Sequence, residues 1–138
     1  MKVSVGYWYN KGVALCNANM HEKALYCFDK ALSMEKDNDL IWFRQGIALF
    51  YIKRLQEAAS SFDHSLRINP NNAAALNNRG VALSVLKRFG EAEECFKKAL
   101  DLNPGNPGIK INKNISNGME QTENQQSRGE INENFSLC

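Results

Sequence analysis

The sequence predicts an all-α solenoid in which helix pairs stack side by side. One 34-residue pattern occurs three times between residues 5 and 106. Each copy, called a unit below, contains two stretches in which apolar residues recur every three or four positions, as they do along one face of a helix. The second and third units end in Asn-Pro, which is typical of a helix end. A period of this length indicates units that cannot bury their apolar faces alone and therefore stack.

The positions that recur are apolar or small in nearly every unit. They are Trp8, Trp42 and Leu76; Gly12, Gly46 and Gly80; Leu15, Leu49 and Leu83; Ala24, Ala58 and Ala92; Phe28, Phe62 and Phe96; and Ala31, Ser65 and Ala99. We expect them to form the core, with the small residues at the points where the two helices of a pair cross.

The second unit shows how each helix begins and ends. An apolar stripe starts near Trp42, is interrupted by Lys53 and Arg54, and then resumes. Asn69-Pro70 ends the second stripe, and Asn72 can cap the helix that follows. Applied to every unit, this pattern predicts helices near residues 5–18, 21–34, 39–52, 55–68, 73–86 and 89–102.

The pattern resembles the tetratricopeptide repeat. The resemblance is clearest in the second unit, at Trp42, Gly46, Leu49, Ala58, Phe62, Ser65 and Pro70. It defines a three-repeat domain over residues 1–106, with units at 5–38, 39–72 and 73–106. It implies a right-handed superhelical solenoid of helix-turn-helix repeats.

The last segment, residues 107–138, is Asn-rich and lacks the key positions of a fourth unit. Its composition predicts a tail that is mostly disordered or forms a ragged C-terminal cap. As a cap, it would cover the third unit with Ile109, Ile111, Ile115 and Met119. As an alternative, Ile131, Phe135 and Leu137 would fill the groove described below.

Charge and cysteine content favour a cytoplasmic protein that does not depend on a nucleic acid or a membrane. The net charge is +2 over 138 residues, which gives no electrostatic reason to expect either of those partners. The N-terminus lacks the apolar core of a secretion signal. None of the four cysteines forms a Cys-x-x-Cys pair, so we expect reduced thiols, no metal and no cofactor.

We also expect no catalysis. No phosphate-binding loop, HExxH or GxSxG motif occurs in the sequence. His21 and His64 do not recur between units. We interpret His21 as a partly packed residue of the turn and His64 as a solvent-facing residue of a second helix.

The resemblance implies a concave groove formed by the first helix of each unit, which holds peptides or partner helices. At ~100° per residue, positions 2, 5, 6, 9, 12 and 13 of a unit point away from its second helix. We predict a partner-binding groove formed by Tyr9, Asn10, Val13, Phe43, Arg44, Ile47, Phe50, Asn77, Asn78 and Val81. Its apolar character favours a protein–protein interaction adaptor that binds an apolar peptide or helix. Ordinary packing between units would also explain why these residues are apolar. The alternative function is a self-assembling structural module, a homo-oligomer whose groove and ends are filled by its own copies or tail.

One family partner is not expected. Repeats that bind the acidic C-terminal tail of heat-shock chaperones clamp two carboxylates with Lys, Asn and Arg at five fixed positions. Those positions hold Tyr9, Val13, Arg44, Ala74 and Asn78 in this sequence.

Overall fold

The computed structural model describes residues 2–136, with side chains placed as far as residue 128. Over residues 2–136 the chain forms seven α-helices and no strand, which confirms the all-α prediction. The helices are α1 (Val5–Asn17), α2 (His21–Met34), α3 (Asp39–Tyr51), α4 (Leu55–Ile68), α5 (Ala73–Val85), α6 (Phe89–Leu102) and α7 (Pro107–Ser136). None of these helices is long and apolar enough to cross a membrane.

A polar cap precedes the first helix of each unit. The Ser4 hydroxyl accepts from the Tyr7 N–H, and the Asn38 and Asn72 side chains accept from the first-turn N–H groups of α3 and α5. Each cap satisfies backbone donors that would otherwise have no partner at a helix start. The caps recur with the 34-residue period, so the period sets where the helices begin.

The core of each helix pair is one phenylalanine packed against one glycine. Phe28, Phe62 and Phe96 are 0–1% exposed. A Cβ atom built on Gly46 would lie 2.6 Å from Cε1 of Phe62, and Gly12 and Gly80 are equally close to their own phenylalanines. Only a residue without a side chain lets the two backbones approach this closely, as the sequence predicted.

Successive pairs stack through the second helix of one unit and the first helix of the next. α2 packs on α3, and α4 packs on α5. Phe50, near the end of α3, contacts the apolar clusters on both sides of it. The core therefore continues from the first unit to the third.

The C-terminal segment differs from the mostly disordered tail that its composition predicted. α7 packs on α6 and also contacts α5. The Asn106 side chain accepts from the N–H groups of Gly108 and Ile109, and Pro107 stands at the first helical position, where its missing N–H costs little. Asn106 lies 34 residues after Asn72, so α7 starts in register with the first helices of the units.

The cap uses only part of the apolar set expected from the sequence. Ile109 is buried, and the Ser116 hydroxyl bonds the buried Ser84 hydroxyl at 2.7 Å. Ile111 and Ile115 are each 57% exposed, and Met119 is 37% exposed. One face of a helix cannot bury all of these positions, so the expectation that all four would cover the third unit is wrong. The alternative occupants Ile131, Phe135 and Leu137 lie outside the residues whose side chains are described.

Candidate functional site

The candidate site is the surface on which the first helices of the units lie side by side. α3 contacts both α1 and α5, and α5 contacts α7. We define the groove face as the side of these four helices that carries positions 5, 6, 9, 12 and 13 of each unit. All ten residues predicted from the sequence occupy such positions. Nine of them are half-buried, and Asn10 is exposed.

A recess of about 180 Å³ opens in the middle of the groove face. It is lined by Ile47, Phe50, Tyr51, Phe62, Asn78 and Val81. The structure therefore brings together four of the predicted residues from α3 and α5. They form a mainly apolar recess with one amide, large enough for one bulky apolar side chain.

Packing beneath the groove face holds several of its aromatic rings in place. The Phe43 ring lies 6.0 Å from that of Phe62, and the Tyr9 ring lies 6.4 Å from that of Phe28. Tyr51 stacks on His21 of the preceding unit at 4.8 Å. Because these rings are ordered before any partner arrives, less side-chain entropy is lost on binding.

The first unit contributes to a second recess, of about 240 Å³. It lies between α1 and the start of α3 and is lined by Val5, Gly6, Tyr9, Glu35, Asn38, Leu40 and Ile41. Leu40 is 51% exposed here. Val13 packs against the core cluster of the first two units, so it supports the groove face as well as lining it.

The polar residues of the groove face are partly engaged within the chain. The Asn112 side-chain amide of α7 donates to the side-chain oxygen Oδ1 of Asn77 at 3.1 Å. The Arg44 guanidinium lies 6.0 Å from the centre of the Phe43 ring and takes part in none of the ion pairs formed by described side chains. Burial raises the pKa of the nearby Cys16 thiol, and Arg44 offsets part of that rise. Arg44 is thus the cation available to an incoming carboxylate on this face.

The sequence prediction missed the contribution of α7 to the groove face. Val13, Ile47 and Val81 share position 9 of their units, and Ile115 continues that row 34 residues later. Ile111 continues position 5, and Met119 continues position 13. All three are exposed on the first half of α7. The pattern was extended past Pro104 only for the core positions, and extending the groove positions as well would have found these three residues.

Both histidines have packing roles. His21 stacks on Tyr51 as described above, and His64 stacks on Trp42 at 4.3 Å with the rings 18° apart. His64 is half-buried, so the prediction of a solvent-facing His64 is wrong. Among residues with described side chains, no three His, Cys, Asp or Glu residues cluster closely enough to hold a metal ion.

Solved structures with this arrangement of helices come from several proteins. The first tetratricopeptide domain of human RPAP3 superposes with a TM-score of 0.83 at 19% identity, over 88% of this chain and 95% of that one. The first such domain of Spaghetti (RPAP3), bound to an HSP90 peptide, gives 0.81 at 20% identity, over 83% and 91%. The second domain of human RPAP3, in complex with an HSP70 peptide, gives 0.77 at 21% identity, over 80% and 92%. No curated protein sequence matches the chain.

Family models for the tetratricopeptide repeat match the three units one after another. One model covers residues 6–38 and 73–106, and a second covers residues 40–72. Together they account for nearly all of α1 to α6, including the glycine–phenylalanine pairs and the capping residues Asn38 and Asn72. The chain belongs to the tetratricopeptide repeat family.

Proposed function

We propose that this chain is a protein–protein interaction adaptor that binds an apolar peptide or helix along its groove face. The observation that carries the proposal is the mainly apolar recess between α3 and α5, together with the apolar row that continues onto α7. Apolar surface of this kind on a folded protein usually marks an interaction site.

The recess suits one apolar anchor of the ligand, and the row on either side suits residues spaced along a helix or strand. Val85, Ile111 and Ile115 are 45–57% exposed. Burying such side chains against a partner releases about 25 cal/mol for each Å² of apolar surface. Asn78 can bond a peptide carbonyl, because its amide lines the recess.

The peptides bound by the RPAP3 domains support a peptide as the class of ligand, since they occupy domains of the same fold. They do not support a chaperone tail for this chain. The two-carboxylate clamp requires Lys, Asn and Arg, and its five positions here include Tyr9, Val13 and Ala74. The positions that require Lys or Arg hold Tyr9, Ala74 and Asn78, and the one cation of the set, Arg44, stands where the clamp has Asn.

Self-assembly through the ends of the solenoid lacks a matching surface at the C-terminal end. Within residues 107–128, the face of α7 that would meet a further helix is polar, since Lys110, Asn114 and Asn117 stand where Leu76, Gly80 and Leu83 stand in the third unit, and Gln121 continues that face. A polar outer face keeps a terminal repeat soluble and disfavours its association with other copies. The adaptor is therefore the function that we propose.

The test uses ligands selected from a displayed peptide library with the whole chain. Replacing Phe43 with Glu would disturb the core, because the Phe43 ring lies against Phe62. Val85→Glu and Ile115→Glu change exposed side chains of the groove face instead. Met34→Glu is the matched control, since Met34 is 50% exposed on α2, away from that face.

We expect each groove variant to weaken the selected ligands by about tenfold, and Met34→Glu to have no effect. Because apolar burial dominates, raising salt tenfold should change the affinity by less than about twofold. Ligands whose binding needs a free C-terminal carboxylate and falls steeply with salt would contradict the proposal. Equal binding by all three variants would contradict it as well.

A further inference from the structure

The first unit has a second apolar surface, on the side away from the second unit. We define the free edge as the surface formed by Tyr7, Trp8, Lys11, Lys23, Tyr26 and Lys30. Tyr7 is 49% exposed and Tyr26 is 58% exposed. The Trp8 ring meets both of them edge-on, at 5.3 and 5.9 Å. The three rings form a continuous cluster in which Tyr7 and Tyr26 are exposed and Trp8 is half-buried.

At the interfaces between units, the preceding helix pair covers the positions equivalent to those of the free edge. Tyr7 occupies the position of Ile41, Ala75 and Ile109, which are 0–3% exposed beneath the preceding helix pair. Trp8 occupies the position of Trp42, whose indole N–H donates to the Lys36 carbonyl of the first unit at 2.8 Å. The free edge is thus built like an inter-unit interface.

Lys11 makes the comparison specific. It occupies the position of Gln45, whose amide donates to the Asp29 carboxylate of the preceding unit at 2.7 Å. In the next unit the equivalent residue is Arg79, which lines one recess together with Asp63 of α4. At the α2–α3 interface the residue at this position therefore bonds an aspartate on the covering helix. At the α4–α5 interface the two residues only share a recess, since Arg79 pairs with Glu91 and Asp63 with Arg67.

The two covering helices share a residue pattern. α2 presents Leu25, Asp29 and Leu32 to the second unit, and α4 presents Ala59, Asp63 and Leu66 towards the third. Each has an apolar residue, an Asp four residues later and a Leu three residues after that. This spacing places all three side chains on one face of a helix.

The charge of the free edge matches that pattern. Lys11 lies 5.7 Å from the centres of the Tyr7 and Trp8 rings, and Lys30 lies 5.4 Å from that of Tyr26. Lys23 is exposed, and its spacing from Tyr26 and Lys30 places it on the same face of α2. The two carboxylates of α2 lie on the other side, where Glu22 and Asp29 both act on Arg54 of the second unit. The edge therefore presents three cations and no acid.

We propose that the free edge docks an amphipathic helix of another protein, one that carries an aspartate between two apolar residues with the spacing of α2 and α4. Its apolar residues cover Tyr7 and Tyr26, and its aspartate pairs with Lys11. A second copy of this chain is a poorer occupant. Its α7 presents polar residues outward, and edge-to-edge pairing would bring lysines together.

The probe is a helix-stabilised peptide with the sequence of residues 21–34, in which Cys27 is replaced by Ala to prevent oxidation. A matched peptide also carries Asp29→Lys. Binding to the ¹⁵N-labelled whole chain is followed by backbone amide shifts. The chain variants are Lys11→Glu at the free edge, Lys110→Glu as an exposed lysine control on α7, and Val85→Glu as the groove control.

We expect shift changes centred on Tyr7, Trp8 and Tyr26, with Lys11→Glu weakening the peptide by about fivefold or more. Lys110→Glu and Val85→Glu should leave binding unchanged. The peptide with Asp29→Lys should bind the wild-type chain poorly and regain affinity for Lys11→Glu. That recovery requires a direct pairing between these two positions.

Three results would overturn the inference. The first is no shift at the free edge with about 1 mM peptide, the affinity range of a weak contact. The second is shifts centred on Val81, Val85 and Ile115 that disappear in Val85→Glu, because the peptide would then occupy the groove face. The third is concentration-dependent shifts at the free edge without peptide, which would make the edge an interface between copies. The groove proposal depends on other residues, so each proposal can fail independently of the other.

Discussion

Replacing Gly46 with Ala tests the close helix crossing at the centre of the second unit. The added Cβ would lie 2.6 Å from Cε1 and 2.7 Å from Cδ1 of Phe62. Favourable carbon–carbon contacts need about 3.5–4.0 Å, so the ring or the backbone must move by nearly 1 Å. Phe62 is 1% exposed, and its ring has no open space to enter.

Two opposing effects set the magnitude. Alanine is favoured over glycine in a helix interior by about 1 kcal/mol. Overpacking a well-filled core costs about 1–3 kcal/mol, and a contact this short against a ring belongs at the upper end of that range. We therefore expect Gly46→Ala to lower the free energy of unfolding by about 1–2 kcal/mol.

Gly118 provides the matched control. It lies inside α7, and a Cβ atom there would have no neighbour within 4 Å. Gly118→Ala should therefore raise the stability by up to about 1 kcal/mol, through helix propensity alone. Urea unfolding followed by circular dichroism measures both variants, and an unchanged m-value indicates that the denatured state is the same.

A rise in stability for Gly46→Ala equal to that for Gly118→Ala would refute the reasoning, because the crossing would then tolerate a side chain. The double variant with Phe62→Leu gives a second check. If the clash is with this ring, Phe62→Leu should cost less in the Gly46→Ala background than in the wild type.

Three further predictions concern the core, the cap and one carboxylate. Phe62→Ala should lower the free energy of unfolding by about 3–5 kcal/mol in urea melts, as for other buried aromatics. Ile109→Ala should lower it by about 2 kcal/mol and speed amide exchange in α7, whereas exposed Ile111→Ala should do neither; equal effects would contradict the packed cap. Partial desolvation raises the pKa of Asp29 above its usual 3.8, although the hydrogen bond from Gln45 opposes the rise. The folded state therefore favours the protonated carboxyl, and the wild type should gain stability relative to Asp29→Asn as the pH falls from about 7 to about 4. If the difference in unfolding free energy between the wild type and Asp29→Asn does not change with pH, the pKa of Asp29 is not raised by folding.

The sequence predicted the six repeat helices to within one residue at each end, because their caps, apolar stripes and small residues all recur together. It did not predict α7. The composition of residues 107–138 suggested disorder, but Asn106 and Pro107 form a helix start in register with Asn38 and Asn72. The cap at Asn106 and Pro107 therefore indicates a helix more reliably than the composition of residues 107–138 does.

The sequence could predict which residues lie on the groove face, but not which of them are already engaged by contacts within the chain. Periodicity alone places Ile47, Phe50 and Val81 on one surface. Whether Asn77 is available to a ligand depends on Asn112 of α7, which no pattern within the units could indicate. The free edge was missed for another reason. Trp8 and Trp42 recur and both are half-buried against the core, so the pattern shared by the units could not show that Tyr7 is exposed whereas Ile41 is buried.

The outer surface of α7 and the free edge of the first unit are chemically different: the first is polar, and the second is aromatic and basic. At the C-terminal end, α7 covers the third unit and presents Lys110, Asn114 and Gln121 to water. The free edge of the first unit instead retains the residues of an internal interface, with aromatic rings where buried side chains stand elsewhere. The position of Lys11 holds Gln45, Arg79 and Lys113 in the later first helices and α7. A lysine there still selects a carboxylate, and the rings beside it supply apolar contact area, so this edge has the chemistry of a docking surface rather than that of a cap.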